Sequence, residues 1–155
     1  MKIGFGYDIH PLKIGERLIL GGVKINSKAG LVGHSDADVV IHAVIDSLLG
    51  AAGKGDIGVF FPDDQEEWKG ISSLILLDKI SKLIEKEKYT VNNIDITIIL
   101  EYPKLLPYYP EMKKNIAGIL KMNEKEINIK ATTNEGIGFI GKGEGIAVFC
   151  VASLA

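Results

Sequence analysis

Three histidines and the acidic residues around them carry most of the chemical signal in this chain. Asp8 and His10 stand two apart in an alternating stretch, so on a strand both project from one face and can converge on one ion. His42 lies between Asp38 and Asp46 at four-residue spacing, which puts all three on one stripe of a helix. No Lys, Arg or Glu occurs between Asp36 and Gly53, and Val39, Val40, Ile41, Ala43, Val44, Ile45, Leu48 and Leu49 make that helix apolar nearly all round. Such a helix is buried, and buried charges need partners or a metal. His42 is therefore either a ligand or a hydrogen-bonded core histidine, and the helix alone leaves both open. His34 stands just before the helix, in Gly33-His34-Ser35-Asp36-Ala37-Asp38.

Other stretches have chemistry of a weaker kind. Thr132-Thr133-Asn134-Glu135-Gly136-Ile137-Gly138-Phe139 combines hydroxyls, a carboxylate and glycines, as a phosphate or metal–phosphate site does. Thr133 or Asn134 could equally cap a short helical turn. Gly53-Lys54-Gly55-Asp56-Ile57-Gly58 permits close backbone approach to a ligand, and Asp56 could accept hydrogen bonds from sugar hydroxyls. A glycine-rich turn followed by a solvated acidic loop over Asp63 to Glu67 explains the same residues. Lys104, between Pro103 and Pro107, is a candidate phosphate contact. Cys150 lies in an apolar run and reads as a packed strand residue rather than a nucleophile.

These residues need elements to hold them. Lys2 to His10 alternates as a strand that Pro11 ends; Ile3, Phe5, Tyr7 and Ile9 form its expected core face, and Gly4 and Gly6 leave open space beside Asp8 and His10. Leu18 to Ile25 is a hairpin around Gly21-Gly22, and residues 27–33 are a loop. The apolar helix follows, with Ser35 or Asp36 as N-cap and Gly50 and Gly53 as stops. Residues 70–88 form an amphipathic helix that packs but carries no chemistry, and Tyr109 to Leu120 form another. Strands are expected near residues 94–100, at Glu126 to Thr132 and at Ile146 to Ala152, the last covered on both faces or buried against another subunit. The order predicts a single α+β domain over residues 1–155, a sandwich of one mainly antiparallel or mixed sheet with helices on one face. The other sheet face then needs covering, which points to self-association.

Composition narrows the function. The chain has 155 residues, 46% hydrophobic and 25% charged, enough for a sizeable core. A net charge of −2 implies no nucleic-acid or anionic-membrane partner. Arg17 is the only arginine, so phosphate recognition falls to lysines, backbone amides or metals. One cysteine excludes an internal disulfide. Without a signal-peptide pattern or an apolar run long enough to span a membrane, a cytoplasmic location is expected.

Taken together, the motifs resemble one family. Gly6-Tyr7-Asp8-Ile9-His10, Gly33-His34-Ser35-Asp36-Ala37-Asp38 with His42-Ala43 and Asp46-Ser47-Leu48-Leu49-Gly50, Gly55-Asp56-Ile57-Gly58 and Phe61-Pro62-Asp63 are similar to those of 2-C-methyl-D-erythritol 2,4-cyclodiphosphate synthases. Pro103-Lys104, Lys130-Ala131-Thr132-Thr133, Glu135, Gly138-Phe139 and Gly143-Glu144-Gly145 extend the resemblance over essentially the whole chain. It implies a homotrimeric enzyme of the non-mevalonate isoprenoid pathway, packed through its sheets, with active sites between subunits. Its substrate would be 4-diphosphocytidyl-2-C-methyl-D-erythritol 2-phosphate, cyclised with release of CMP. By the same resemblance, Asp8, His10 and His42 are zinc ligands, Glu135 holds a second divalent ion, Mg²⁺ or Mn²⁺, and His34 and Thr133 stabilise the transition state. Asp56, Ile57 and Gly58 are ribose contacts. Leu100, Glu101, Tyr102, Pro103, Lys104, Leu105 and Leu106, with Ala131 and Thr132, form the cytidine pocket. Ser35, Phe61, Pro62, Asp63, Asp64 and Gln65 meet the methylerythritol phosphate, and Ile9, Asn134, Phe139 and Lys142 complete the substrate-binding set. Asp38 or Asp46 is expected to support His42 from behind.

Three positions depart from the family pattern. Ala37 replaces a glycine, expected as a small change on a helix. Leu100-Glu101-Tyr102 differs from an Ala-Gln sequence in some members. Lys142 stands where many carry arginine beside a trimer cavity that can hold an isoprenoid diphosphate, and a point charge replaces a fork there. Two other functions use the same residues: a non-catalytic trimeric nucleotide- or phosphate-binding protein, and a zinc phosphoester hydrolase.

Overall fold

A computed structural model describes residues 1–155. In chain order, β1 spans Lys2–Ile14, β2 Leu18–Leu20, β3 Val23–Ile25 and β4 Ala29–Leu31. Then come α1 (Val39–Ala52), α2 (Ile57–Phe60), α3 (Ser73–Lys86), β5 (Val91–Ile99), α4 (Tyr109–Leu120), β6 (Ile127–Thr132), α5 (Gly138–Gly141) and β7 (Gly145–Leu154). Five strands form one mixed sheet in the order β4-β1-β7-β5-β6, in which only β5 and β6 run parallel. The β2–β3 hairpin stands apart from it, turning on Gly21 and Gly22 at φ +58° and +73°.

The expected α+β architecture is present, and the helices lie on one face of the sheet. The inner face, including Ile94, Ile96, Ile98, Val148, Cys150 and Ala152, packs under Ile41, Ile45, Leu48 and Leu49 of α1. Helix α3 adds Leu77, Ile80 and Ile84, and α4 adds Met112 and Ile116.

Four local expectations change. First, β1 shows the reverse of its predicted faces. Ile3, Phe5 and Tyr7 are 65%, 62% and 45% exposed, whereas Gly4 and Gly6 are buried. The glycines do not leave open space; α1 occupies it. A Cβ on Gly4 would collide with the Ser47 carbonyl, and one on Gly6 with the Ala43 carbonyl. Second, β1 continues past Pro11. That residue lacks an N–H, but its carbonyl accepts from Val32 at 3.1 Å as β1 passes from pairing with β7 to pairing with β4. Third, the segment expected as a loop over residues 27–33 contains β4, whose Gly30 lies against the Arg17 backbone.

Fourth, α1 begins later than expected, and its N-cap is Asp38 rather than Ser35 or Asp36. Asp38 is fully buried and accepts from Ile41 N–H at 3.1 Å, Gly21 N–H at 2.9 Å and Gly22 N–H at 2.6 Å. One carboxylate thus caps the helix and pins the hairpin turn, because a buried anion needs that many donors. Ala37 is not on the helix: it is buried in the left-handed region at φ +58°, where its family counterpart is glycine.

Candidate functional site

The close approach of α1 to β1 creates the site. Gly4 and Gly6 let the helix backbone descend onto the strand, and His42 comes down beside Asp8 and His10. Asp8 Oδ2 is 3.0 Å from His10 Nε2 and 3.1 Å from His42 Nδ1, and the two imidazole nitrogens are 3.1 Å apart. Three lone-pair atoms therefore crowd one point from two elements. Tetrahedral bonds of about 2.0 Å around a zinc ion separate neighbouring donors by about 3.3 Å, so the spacing and the donor types fit a divalent cation with an open position.

The electrostatics agree. Burial alone would raise the Asp8 carboxyl, but hydrogen bonds and positive charge from His10 and His42 outweigh it and lower it to about 2. Burial would lower His42; the bond and charge from Asp8 overcome it, and His42 is raised. Asp8 is thus a ready anionic donor.

A cleft of about 580 Å³ opens over this cluster, lined by Asp8, His10, His34, Ser35, His42, Ile57, Gly58, Phe61, Pro62, Asp63 and Asp64. His34 Nε2 lies 3.2 Å from the Gln65 carbonyl, which orients the ring. Gln65 itself receives the Trp68 indole N–H on its side chain at 3.1 Å, and Trp68 packs edge-on to Phe61 at 5.1 Å between centroids. The 56–58 segment is the start of α2: Asp56 caps it through Val59 N–H at 3.2 Å, and Asp46 accepts Ile57 N–H at 2.8 Å. Asp46 is raised by its burial.

A second cleft, about 210 Å³, is lined by Leu100, Glu101, Pro103, Lys104, Leu105, Leu106, Ala131, Thr132 and Thr133, with Tyr109. Glu101 reaches from it to accept Asn134 N–H at 2.7 Å and so fixes the turn that presents Thr133 and Glu135. Glu135 sits at φ +52°, with its N–H donating to Thr133 Oγ1 at 3.2 Å. Tyr102 projects outward, 82% exposed.

The expected site residues therefore fall into two clefts of one chain. The metal cluster, His34, Ser35 and the 57–64 segment share the first; the 100–106 segment, Ala131, Thr132 and Thr133 share the second. Ile9, Asp56, Gln65, Tyr102, Asn134, Glu135, Phe139 and Lys142 line neither. Asp38 and Asp46 do not support His42 by hydrogen bonds: their carboxylates serve the hairpin with the α1 cap and the α2 start, respectively. Trp68 and Ser73, unnoticed in the sequence, are both close to the site. Trp68 lines the cleft, and the Ser73 hydroxyl is 3.0 Å from His42 Nε2. Ser73 at a helix start gives no signal beyond capping.

The whole chain, residues 1–155, matches the model of the YgbB family. A 2-C-methyl-D-erythritol 2,4-cyclodiphosphate synthase of Clostridium novyi is 56% identical over 147 residues, covering 95% of this chain and 94% of that protein. Among solved structures, the CDP complex of IspF from Plasmodium falciparum superposes with a TM-score of 0.87 at 38% identity, over 99% of this chain and 94% of that one. The bifunctional IspDF of Campylobacter jejuni gives a TM-score of 0.90 at 39% identity; 99% of this chain matches 42% of that longer one.

Proposed function

The chain belongs to the YgbB family, and we propose on that footing that it is a 2-C-methyl-D-erythritol 2,4-cyclodiphosphate synthase. The observation that carries the reading is the convergence of Asp8, His10 and His42 at the floor of a cleft rimmed by His34, Ser35 and Gly58. The substrate is 4-diphosphocytidyl-2-C-methyl-D-erythritol 2-phosphate. An oxygen of its 2-phosphate attacks the β-phosphorus, the bond from that phosphorus to the bridging oxygen breaks, and CMP leaves with that oxygen. A cyclic diphosphate remains, and the enzyme is in this sense a phosphorus–oxygen lyase.

The chemistry needs no protein nucleophile, since a phosphate is ionised near neutral pH. Cys150 could not serve: it is buried against Ser47, and burial pushes its thiol up to about 12. The difficulty is to bring several negative charges together in line. Asp8, His10 and His42 would hold Zn²⁺ and Glu135 a second ion, Mg²⁺ or Mn²⁺. Bound there, such ions supply charge neutralisation and alignment of attacking and leaving oxygens. His34, whose Nε2 is 3.2 Å from the Gln65 carbonyl, and the Thr133 hydroxyl would meet charge that develops on phosphate oxygens. Gly58, without a side chain, and Asp56 take the ribose, while Ser35 and the 61–65 segment take the methylerythritol phosphate. Leu100 to Leu106, Ala131 and Thr132 take cytidine.

The separation of the two clefts supports a homotrimer in which the base pocket of one chain completes the metal cleft of another. No helix is long and apolar enough to cross a membrane. Phosphorus NMR of the protein with substrate, Zn²⁺ and Mg²⁺ tests the activity. A cyclic diphosphate formed one-for-one with CMP is expected, with turnover down by about 100-fold or more in His42→Ala and Glu135→Ala. CMP with only open-chain phosphates would identify a hydrolase, and zinc uptake without turnover a binding protein.

A further inference from the structure

His42 turns Nδ1 toward Asp8 and His10, so its other nitrogen decides which tautomer the ring adopts. With the carboxylates of Asp38 and Asp46 occupied elsewhere, the partners of Nε2 come from two hydroxyls. Ser35 Oγ and Ser73 Oγ each lie 3.0 Å from it, and 3.3 Å from one another. Ser73 is fully buried at the start of α3, a helix whose sequence reads only as packing. Its hydroxyl donates to Asp36 Oδ1 at 2.5 Å, and its backbone N–H donates to Asp36 Oδ2 at 3.1 Å. Asp36 is itself fixed, its own N–H donating to the Ile71 carbonyl at 3.0 Å.

The protons can be counted. An ionised carboxylate only accepts, so the single hydroxyl proton of Ser73 is committed to Asp36. Ser73 Oγ is then left with lone pairs and can only accept from His42. Ser35 has no such commitment: its hydroxyl accepts from Ala37 N–H at 3.4 Å, and its proton is free to turn either way. Nδ1 has its own acceptor in Asp8 Oδ2 at 3.1 Å, which a cation at the cluster would replace; once the Nδ1 lone pair is given to that cation, the ring's one proton is on Nε2 and Ser73 Oγ is its fixed acceptor.

We propose that Ser73, locked by Asp36, is a positioning residue that holds His42 as the Nε2–H tautomer and thereby prepares Nδ1 as a metal ligand. The relay runs from a carboxylate just before α1, through a hydroxyl at the start of α3, to an imidazole on α1. The Asp36 charge also stabilises the partial positive charge that the ring acquires on giving its lone pair to a cation. The proposal rests on the metal-site reading above.

Two readouts test it, neither of them turnover. In protein loaded with Zn²⁺, ¹⁵N–¹H correlation spectra should show the His42 Nε2–H proton hydrogen-bonded and slow to exchange with solvent. Competition for Zn²⁺ against a chromophoric chelator gives the affinity. In Ser73→Ala that proton should lose its protection and Zn²⁺ affinity should fall about 10-fold or more. In Asp36→Asn the new amide can donate to Ser73 Oγ, freeing the hydroxyl proton to point at Nε2. That variant should set two protons against each other at Nε2 and lose affinity too, and it carries the test should Ser73→Ala fail to fold. Wild-type Nε2–H protection with affinity within about twofold in a folded variant would overturn the proposal and leave the metal site standing. A wild-type protein that takes up no Zn²⁺ would overturn both.

Discussion

At the scale of residues, carboxylates with the same chemistry are driven in opposite directions by their partners. Asp8 is lowered to about 2 because bonds and charge from two imidazoles outweigh its burial, whereas burial lifts Asp38 to about 6 against three backbone donors. Carboxyl ¹³C NMR titration of the metal-free protein should show the two midpoints displaced on either side of the ordinary value of 3.8. The consequences for stability have opposite signs. Asp8 contributes above about pH 4 and loses that contribution as pH falls toward 2; Asp38 contributes most below about pH 4 and loses it as pH rises through 6. Ala37 shows magnitudes in balance. A left-handed alanine costs about 1–2 kcal/mol, but glycine there would forgo about 0.8 kcal/mol of methyl burial and regain about 0.5–1 kcal/mol of unfolded-chain entropy. Ala37→Gly should leave the urea midpoint nearly unchanged. Ala37→Val, β-branched in a buried left-handed position, should lose about 3 kcal/mol. Periodicity placed Asp8 with His10 on one strand face and His42 on a helix stripe, but only the family resemblance joined the three, because nothing local ties that helix to a strand 34 positions away. The conformation of Ala37 was not legible, since the helix start depended on which of several acidic residues caps it.

At the scale of elements, the alternation of β1 identifies which residues share a face but not which face turns inward. Ile3, Phe5 and Tyr7 look like a core face because apolar residues normally point to the chain's own helices. Here the helix rests on the glycines instead. Only the packing partner resolves this, and it lies some forty positions away in sequence. Gly6→Ala puts a methyl into the Ala43 carbonyl. It should lower stability by about 1–3 kcal/mol and weaken Zn²⁺ binding as well, because α1 carries His42 away from β1 when it shifts. A calorimetric scan together with a zinc titration would detect both. Glu101 makes a comparable link between elements: its bond to Asn134 N–H joins the base cleft to the turn bearing Thr133 and Glu135. Nothing in the sequence pairs residues 33 apart. Glu101→Ala should reduce turnover by about 10-fold with little change in Zn²⁺ affinity, since the zinc cluster lies in the other cleft.

At the scale of the whole molecule, the outer sheet face sets the assembly. Phe5, Tyr7 and Phe149 cluster there, with centroids 5.9 and 5.1 Å apart, beside Val151. A sheet face this apolar needs a partner, and the proposed homotrimer would supply it. Light scattering should find a trimer for the native chain and smaller species for Phe5→Asp. If the active sites are shared between chains, co-expressing His42→Ala with Glu135→Ala should restore turnover that neither variant has alone, in about a quarter of sites for random mixing. The sequence announced self-association through its unpaired apolar face but not which residues would lie on it. One consequence of the metal geometry reaches past catalysis. His10 and His42 are 32 residues apart in the chain, and a cation shared between them closes a loop of that length. The single cysteine leaves the chain without an internal disulfide, so a cation held there would be a cross-link that opens when the metal is scarce. Zinc supply would then govern how long each molecule survives as well as how fast it works.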